Sequence, residues 1–283
     1  MRTLRSLLFM PGNNPGMLIS GDVLGADALI FDLEDAVSLD EKDAARALVV
    51  EALSTLERRH CLVSVRINPL DSPFWQDDLL AVLPAAPDAL VVPKATPEAL
   101  REVIIFCDEK KLTLPTIWPL LESPLAIVSL PQFSIIDLDI SALLLGGEDY
   151  AAALGVARTS DSLELLYART ALVTHAKANG WQAIDTPFTD TTDIEGLTSH
   201  VESSKTIGFD GVLAIHPAQV DVIRAVYLPS EEERLWAEAV LKLAEEAKAA
   251  GSGVFSYGGK MVDRPILLRA EKIMEAVGGG SDA

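Results

Sequence analysis

ALIFDLEDAV, residues 28–37, drives four apolar residues into a core and then delivers Asp32, Glu34 and Asp35 together at the exit. The stretch that follows, SLDEKDAARALVVEALSTLERR (38–59), carries apolar positions at helical spacing, so the two together form one strand–helix unit. The same unit recurs. Short apolar runs bounded by turn residues stand at SLLFM (6–10), ALIFDLE (28–34), CLVSVRIN (61–68), ALVVPK (89–94), TIWPLLE (116–122), ALLLGGED (142–149), QAIDTPF (182–188) and GVLAIH (211–216). Helical stretches separate them, among them TPEALREVIIFCDEKK (96–111) with Thr96 as cap and Pro97 in the first turn. This alternation predicts an α/β chain with parallel strands closed into a (β/α)8 TIM barrel over residues 1–225. An open doubly wound sheet is the alternative, but no GxGxxG follows the first strand. A long helix from 231, a flexible GSGVFSYGG linker (251–259) and a last helix near 264–276 exceed what a barrel needs. They predict a C-terminal helical extension over 226–283, able to serve as a lid.

Composition narrows the partners. The chain has 283 residues, 49% of them hydrophobic, enough to bury a sizeable core. With 42 acidic against 23 basic residues the formal net charge is −19, a field that opposes nucleic acid and anionic membrane surfaces. Cys61 and Cys107 give neither a disulfide framework nor a metal-ligand pair and are expected as buried free thiols. The start MRTLRSLLFMPG is too short for a signal peptide or a membrane span, and no later run reaches spanning length. A cytoplasmic protein is the expectation.

In a barrel the C-terminal strand ends face one side, where barrel enzymes keep their chemistry. Strand two ends in Asp32 and Glu34, strand three carries Arg66 and Asn68, strand four ends in Lys94, strand five in Glu122, and strand six in Glu148 and Asp149. Any one of these acids can be explained as the cap of the next helix. Caps do not explain acids gathered on strands two, five and six with a guanidinium and an ammonium between them. Oxygen ligands without His or Cys point to a hard cation, and one or two carboxylates with water is the usual protein share of a Mg2+ site. Glu122 and Asp149, on adjacent strands, are the expected ligands, with Asp32 and Glu34 behind them holding metal waters or orienting Arg66. The planar fork of Arg66 suits a carboxylate, which predicts an anionic substrate held between Arg66 and the cation. Lys94 is open between a substrate contact and an ion-pair partner. His60, His175, His200 and His216 show no metal spacing.

The segments RSLLFMPGNNPGM, ALIFDLEDAVSLDEKDAAR, VRIN, VVPK, LLESPLAI, LLLGGEDYAAALG, DGVLAIHPAQ and GGKMVD occur in that order from Arg5 to Asp263. The pattern resembles the citrate lyase β subunit (citryl-CoA lyase-like) family, within a wider group of Mg-dependent acyl-thioester lyases and aldolases that includes malyl-CoA and citramalyl-CoA lyases. The resemblance implies a barrel with a C-terminal extension, commonly a homotrimer, that cleaves a 3-hydroxy-3-carboxyacyl thioester to an acetyl thioester and a 2-oxo acid such as oxaloacetate. On matching positions it implies Mg2+ on Glu122 and Asp149, the oxo-acid carboxylate on Arg66, and Asp263 from a neighbouring subunit as the group that protonates the departing enolate. Gly147, with its backbone N–H, and Glu148 join the expected substrate contacts. In CoA-dependent relatives the loop after the first strand often carries Arg and Lys, whereas NNPGMLISGD (13–22) has none, and GFDGV places Val212 where the family has lysine. The carrier is therefore open between CoA and an acyl-carrier protein, and partnership with citrate lyase α and γ subunits is open with it. A malyl or citramalyl thioester lyase, a class II 2-oxo acid aldolase, and a carrier-binding subunit inactive without partners are the alternatives.

Overall fold

The computed structural model describes residues 3–56, 61–249 and 255–278. Eight parallel strands close into a barrel in chain order: β1 Ser6–Pro11, β2 Ala28–Asp32, β3 Leu62–Arg66, β4 Ala89–Val92, β5 Thr116–Leu121, β6 Ala142–Leu145, β7 Gln182–Asp185 and β8 Gly211–Ala214. Closure comes from β1, which pairs with both β2 and β8. Alternate residues fill the interior, among them Ala28, Ile30, Ala89, Val91, Trp118, Leu120, Ala142 and Leu144. Leu29, Phe31, Leu90 and Leu143 point the other way and are also fully buried. Both faces of these strands are thus covered, which is why they are nearly continuous apolar runs rather than alternating ones. Continuing the inward parity by two residues places Asp32, Arg66 and Glu122 on the inner side at the C-terminal end. The register puts Asp32 directly opposite Arg66.

The strands are shorter than the apolar runs that predict them. β6 stops at Leu145, and Gly147–Leu154 is a helix, so Glu148 and Asp149 lie in a first helical turn and not at a strand end. The Gly146-Gly147 pair breaks the strand, and two acids suit the positive end of a helix dipole. Glu34, Asn68 and Lys94 likewise stand beyond their strands.

The chain divides into two compact units after Arg224. In the second, the helices Glu231–Ala249 and Arg264–Gly278 enclose a small core of Ala237, Val240, Val262 and Ala270. The linker expectation fails over its described part. Phe255–Tyr257 (β9) and Lys260–Val262 (β10) pair antiparallel across Gly258 and Gly259, whose φ values are +55° and +76°. Two successive residues at positive φ are what a tight two-residue hairpin demands, and glycine supplies both. Residues 251–254 of that linker, and His60, lie outside the described residues. Both cysteines are buried and neither is in a disulfide. Among the described residues no helix is long and apolar enough to cross a membrane.

Candidate active site

A cleft of about 390 Å³ opens at the C-terminal end of the barrel, lined by Arg66, Asp32, Asp35, Glu122, Glu148 and Asp149 together with Gly146, Gly147, Thr186 and an apolar wall. The wall includes Phe9, Pro11, Leu120, Leu213 and Ile215. Arg66 is buried and is the one cationic side chain of this lining among the described residues. Asp32 grips it from two atoms, Oδ1 to Nε at 2.6 Å and Oδ2 to Nη2 at 2.7 Å. Asp32 also accepts the N–H groups of Glu34 (2.9 Å) and Ala36 (3.0 Å), so it orders the loop that carries the other acids. Glu34 Oε2 lies 2.8 Å from Arg66 Nη1 without hydrogen-bond alignment, a buried oxygen left without a bonded partner. Beneath the guanidinium, the Phe9 ring centroid is 4.7 Å away.

Glu122 is held differently. Its Oε2 accepts the backbone N–H of Lys94 at 2.7 Å. Lys94 has a φ of +46°, a conformation that side chains disfavour, and the turn it makes aims that N–H inward. Behind Glu122 stands Gly146, where an added Cβ would lie 2.4 Å from Glu122 Cγ; only glycine leaves room for this carboxylate at the mouth.

The expected residues divide by these facts. Asp32, Glu34, Arg66, Glu122 and Asp149 gather at one mouth. The Lys94 side chain is exposed and absent from the lining, so this residue acts on the site through its backbone. The Nε–Nη2 edge of Arg66 faces Asp32, and its Nη1 lies 2.8 Å from Glu34 and 3.5 Å from Asp35, so a ligand carboxylate meets this guanidinium beside acids already in place. The Gly147 N–H is also taken, by Thr186 Oγ1 at 2.9 Å, and is not a free donor. Glu148 lines the cleft while meeting Arg158 at 3.2 Å. Asp263 belongs to the second unit, where it is exposed and its Oδ1 accepts the Ile266 N–H at 3.3 Å as a helix cap. Thr186, Phe9 and Lys42 are the residues that sequence reading passes over. Lys42 is buried, and its Nζ donates to the carbonyls of Leu33 and Glu34 at 2.7 Å each, tying down the acidic loop.

Crowded acids titrate late. Burial pushes the Glu34 carboxyl up to about 8, Arg66 opposing and Glu122, Asp35 and Asp32 adding to the rise. Burial likewise raises Glu122 to about 7 against the Lys94 N–H and Arg66, with Asp149 contributing to the increase. Arg66 is desolvated too, but Asp32, Glu34 and Asp35 hold its proton more tightly than usual. For a carboxyl whose folded pKa is raised, the folded state binds the extra proton, so stability falls as pH rises between the unfolded and folded values. Metal-free protein should therefore melt at progressively lower temperature from about pH 5 to about pH 8. One fully expressed group contributes roughly 1.4 kcal/mol per pH unit in that window. Glu34→Gln should flatten the fall, and a melting temperature that rises across the window would contradict the assignment.

The donor set suits a hard divalent cation: oxygen atoms only, an excess of carboxylate, and one buried oxygen unbonded. Among the described residues no cluster of three or more His, Cys, Asp or Glu is arranged to enclose a metal. A cation here would take two carboxylates from the protein and complete its shell with water or ligand oxygens.

The family model for HpcH/HpaI aldolase/citrate lyase matches residues 5–217, the span that builds this barrel and its mouth. The chain belongs to the HpcH/HpaI aldolase/citrate lyase family. Aldolases and citrate lyases both break a carbon–carbon bond, so a carbon–carbon lyase is the class to which this member belongs. It is 40% identical over 281 residues to citrate lyase subunit beta of Leuconostoc mesenteroides subsp. cremoris, covering 97% of this chain and 93% of that one. To the mitochondrial citramalyl-CoA lyase of Homo sapiens it is 31% identical, covering 94% of this chain and 83% of the relative. Its fold matches the crystal structure of protein CitE from Mycobacterium tuberculosis in complex with magnesium, acetoacetate and coenzyme A, with a TM-score of 0.82 and 29% identity over 98% of this chain and 100% of that one.

Proposed function

We propose that this family member is a Mg2+-dependent lyase that cleaves a citryl thioester to an acetyl thioester and oxaloacetate. The observation that carries this reading is the mouth itself, where Glu122 and Asp149 offer an oxygen pair for the cation and Arg66 is the cation of the protein's own lining. The M. tuberculosis protein, solved with magnesium, a 3-oxo acid and coenzyme A, supports the same ligand classes. Bound at Glu122 and Asp149, Mg2+ supplies Lewis acidity to the substrate's C3 hydroxyl and the carboxylate beside it, a contribution of several kcal/mol.

The chain's own residues do the rest. Arg66, fixed by Asp32 against Phe9, attracts the carboxylate of the oxo-acid half on its Nη1 side, where exposed Asp35 is only 3.5 Å away and can yield its place. As the C3 hydroxyl passes its proton to a carboxylate of the mouth, the bond between C2 and C3 breaks and its electron pair moves to the thioester α-carbon. A proton delivered to that carbon gives the acetyl thioester, and C3 becomes the ketone of the oxo acid. Asp263 of a neighbouring subunit in a homotrimer supplies that proton, its extension (226–283) acting as a lid over the barrel (1–225). The thioester is carried by CoA or by an acyl-carrier protein, the latter in company with α and γ subunits, and the setting is the cytoplasm.

A second reading is favoured by the apolar wall. Phe9, Pro11, Leu120, Leu213 and Ile215 would accept the methyl group of a citramalyl substrate, which leaves pyruvate, more readily than a second carboxylate. Citryl, malyl and citramalyl thioesters, each on CoA and on a carrier protein, decide between the readings when assayed with Mg2+. We expect the highest kcat/KM for citryl thioester. Preference for citramalyl thioester would select the second reading, and cleavage of free 4-hydroxy-2-oxo acids with no thioester turned over would overturn both.

A further inference from the structure

Among the described residues, the side chains lining the barrel mouth offer an anionic ligand two hydrogen-bond donors, Arg66 and Thr186. The remaining lining is carboxylate, apolar or glycine. Arg66 already gives Nε and Nη2 to Asp32, while its Nη1 faces Glu34 and Asp35. Thr186 is fully buried and fixed on each of its other polar atoms. Its N–H donates to Asp185 Oδ1 at 2.9 Å, and its carbonyl meets His200 Nε2 at 3.0 Å. Asp185 is itself immobilised by Arg169 Nε at 2.9 Å and Ser204 Oγ at 2.7 Å, with all three buried beside β7. Thr186 Oγ1 accepts the Gly147 N–H. A hydroxyl has one proton to give beyond what it accepts, and this one has no protein acceptor among the described residues. Receiving an N–H at the oxygen polarises the O–H and strengthens its donation.

We propose that Thr186 is a substrate-binding residue whose hydroxyl donates to the carboxylate of the bound 2-oxo acid. This rests on the lyase reading above. The Gly147 N–H is spent on Thr186 Oγ1, so the hydroxyl proton is the donor that the two residues have left at the cleft they both line. The arrangement also gives a rigid donor at no cost in loop ordering, because the Arg169–Asp185–Ser204 network holds it before any ligand arrives.

Thr186→Val keeps the shape and removes the hydroxyl, whereas Thr186→Ser retains it. Titration calorimetry with oxaloacetate and with pyruvate, each with saturating Mg2+, measures the effect. We expect Thr186→Val to weaken oxo-acid binding about 10- to 100-fold, the range for losing a hydrogen bond to a charged group, and to raise KM by a similar factor with a smaller change in kcat. Mg2+ affinity should stay near that of the wild type, and Thr186→Ser should recover most of the lost affinity. If the valine variant fails to melt cooperatively, Thr186→Cys, a weak donor of similar size, takes its place with the same expectation. Oxo-acid affinity unchanged in the valine or cysteine variant, or a serine variant as weak as valine, would overturn the role of Thr186 and leave the lyase reading intact. A wild-type protein that binds neither oxo acid with Mg2+ present would overturn the lyase reading and this role together.

Discussion

Glu122→Gln and Asp149→Asn should each abolish measurable Mg2+ binding and lower thioester cleavage by about a thousandfold or more, since a Lewis-acid contribution of several kcal/mol converts at roughly 1.4 kcal/mol per tenfold. The two carboxylates are not interchangeable in how they are held. Glu122 has one oxygen fixed by the Lys94 N–H at 2.7 Å and the other free to face a cation. An amide in its place must present its NH2 either to that N–H or to the metal, and both are repulsive. Loss of activity through unfolding is separable from loss of the metal. Removing a buried, reluctantly ionised acid should raise the melting temperature of the metal-free protein near neutral pH, because Glu122 titrates at about 7 where it stands. Calorimetric titration with Mg2+ alongside thermal melting checks both halves. Unchanged Mg2+ affinity in both variants would mean the ligands are elsewhere, with Asp32, Glu34 and Asp35 the next to test.

The second large effect concerns the C-terminal unit. Asp263→Ala homo-oligomers should be nearly inactive, and mixing them with a barrel-dead variant under subunit exchange should restore turnover. Arg66→Ala is the obvious barrel-dead partner from sequence, but Arg66 is buried against Asp32 and Glu34. Removing it strands buried charge, a loss of about 3 to 5 kcal/mol that invites unfolding. Glu122→Gln is the better partner. Where a Glu122→Gln subunit lends its intact Asp263 to an Asp263→Ala barrel with intact Glu122, a complete site is rebuilt. In randomly mixed closed trimers about a quarter of the sites should be complete. No recovery, with mixed oligomers demonstrated by mass spectrometry, would place Asp263 outside a shared site.

The apolar runs announced every barrel strand because strands covered on both faces leave few polar residues to interrupt them; Ser64 in β3 is buried and gives its hydroxyl to the Leu29 carbonyl. The acids and Arg66 were legible for a related reason: a charge directly after such a run has one place to go. What sequence hid was which hydrogen-bonding edge each group had left. Nothing in VRIN says that Asp32 takes the Nε–Nη2 edge of Arg66, since that follows from the β2–β3 register. Thr186 reads as one polar residue in DTPF, and nothing in that stretch says that its oxygen accepts the Gly147 N–H. Lys42 sits in an amphipathic helix where lysine normally meets solvent, and its burial depends on the loop folding over it. The β9–β10 hairpin did have a local signal, Gly-Gly between two short runs, which a search for long strands passes over.

The most direct measurement is the turnover of citryl thioester by chelator-treated protein before and after Mg2+ is returned. Acetyl thioester and oxaloacetate should form in equal amounts with Mg2+ and at no more than about a thousandth of that rate without it. Equal rates in the two conditions, or oxaloacetate released without an acetyl thioester, would contradict metal-dependent thioester cleavage at the Glu122–Asp149 mouth.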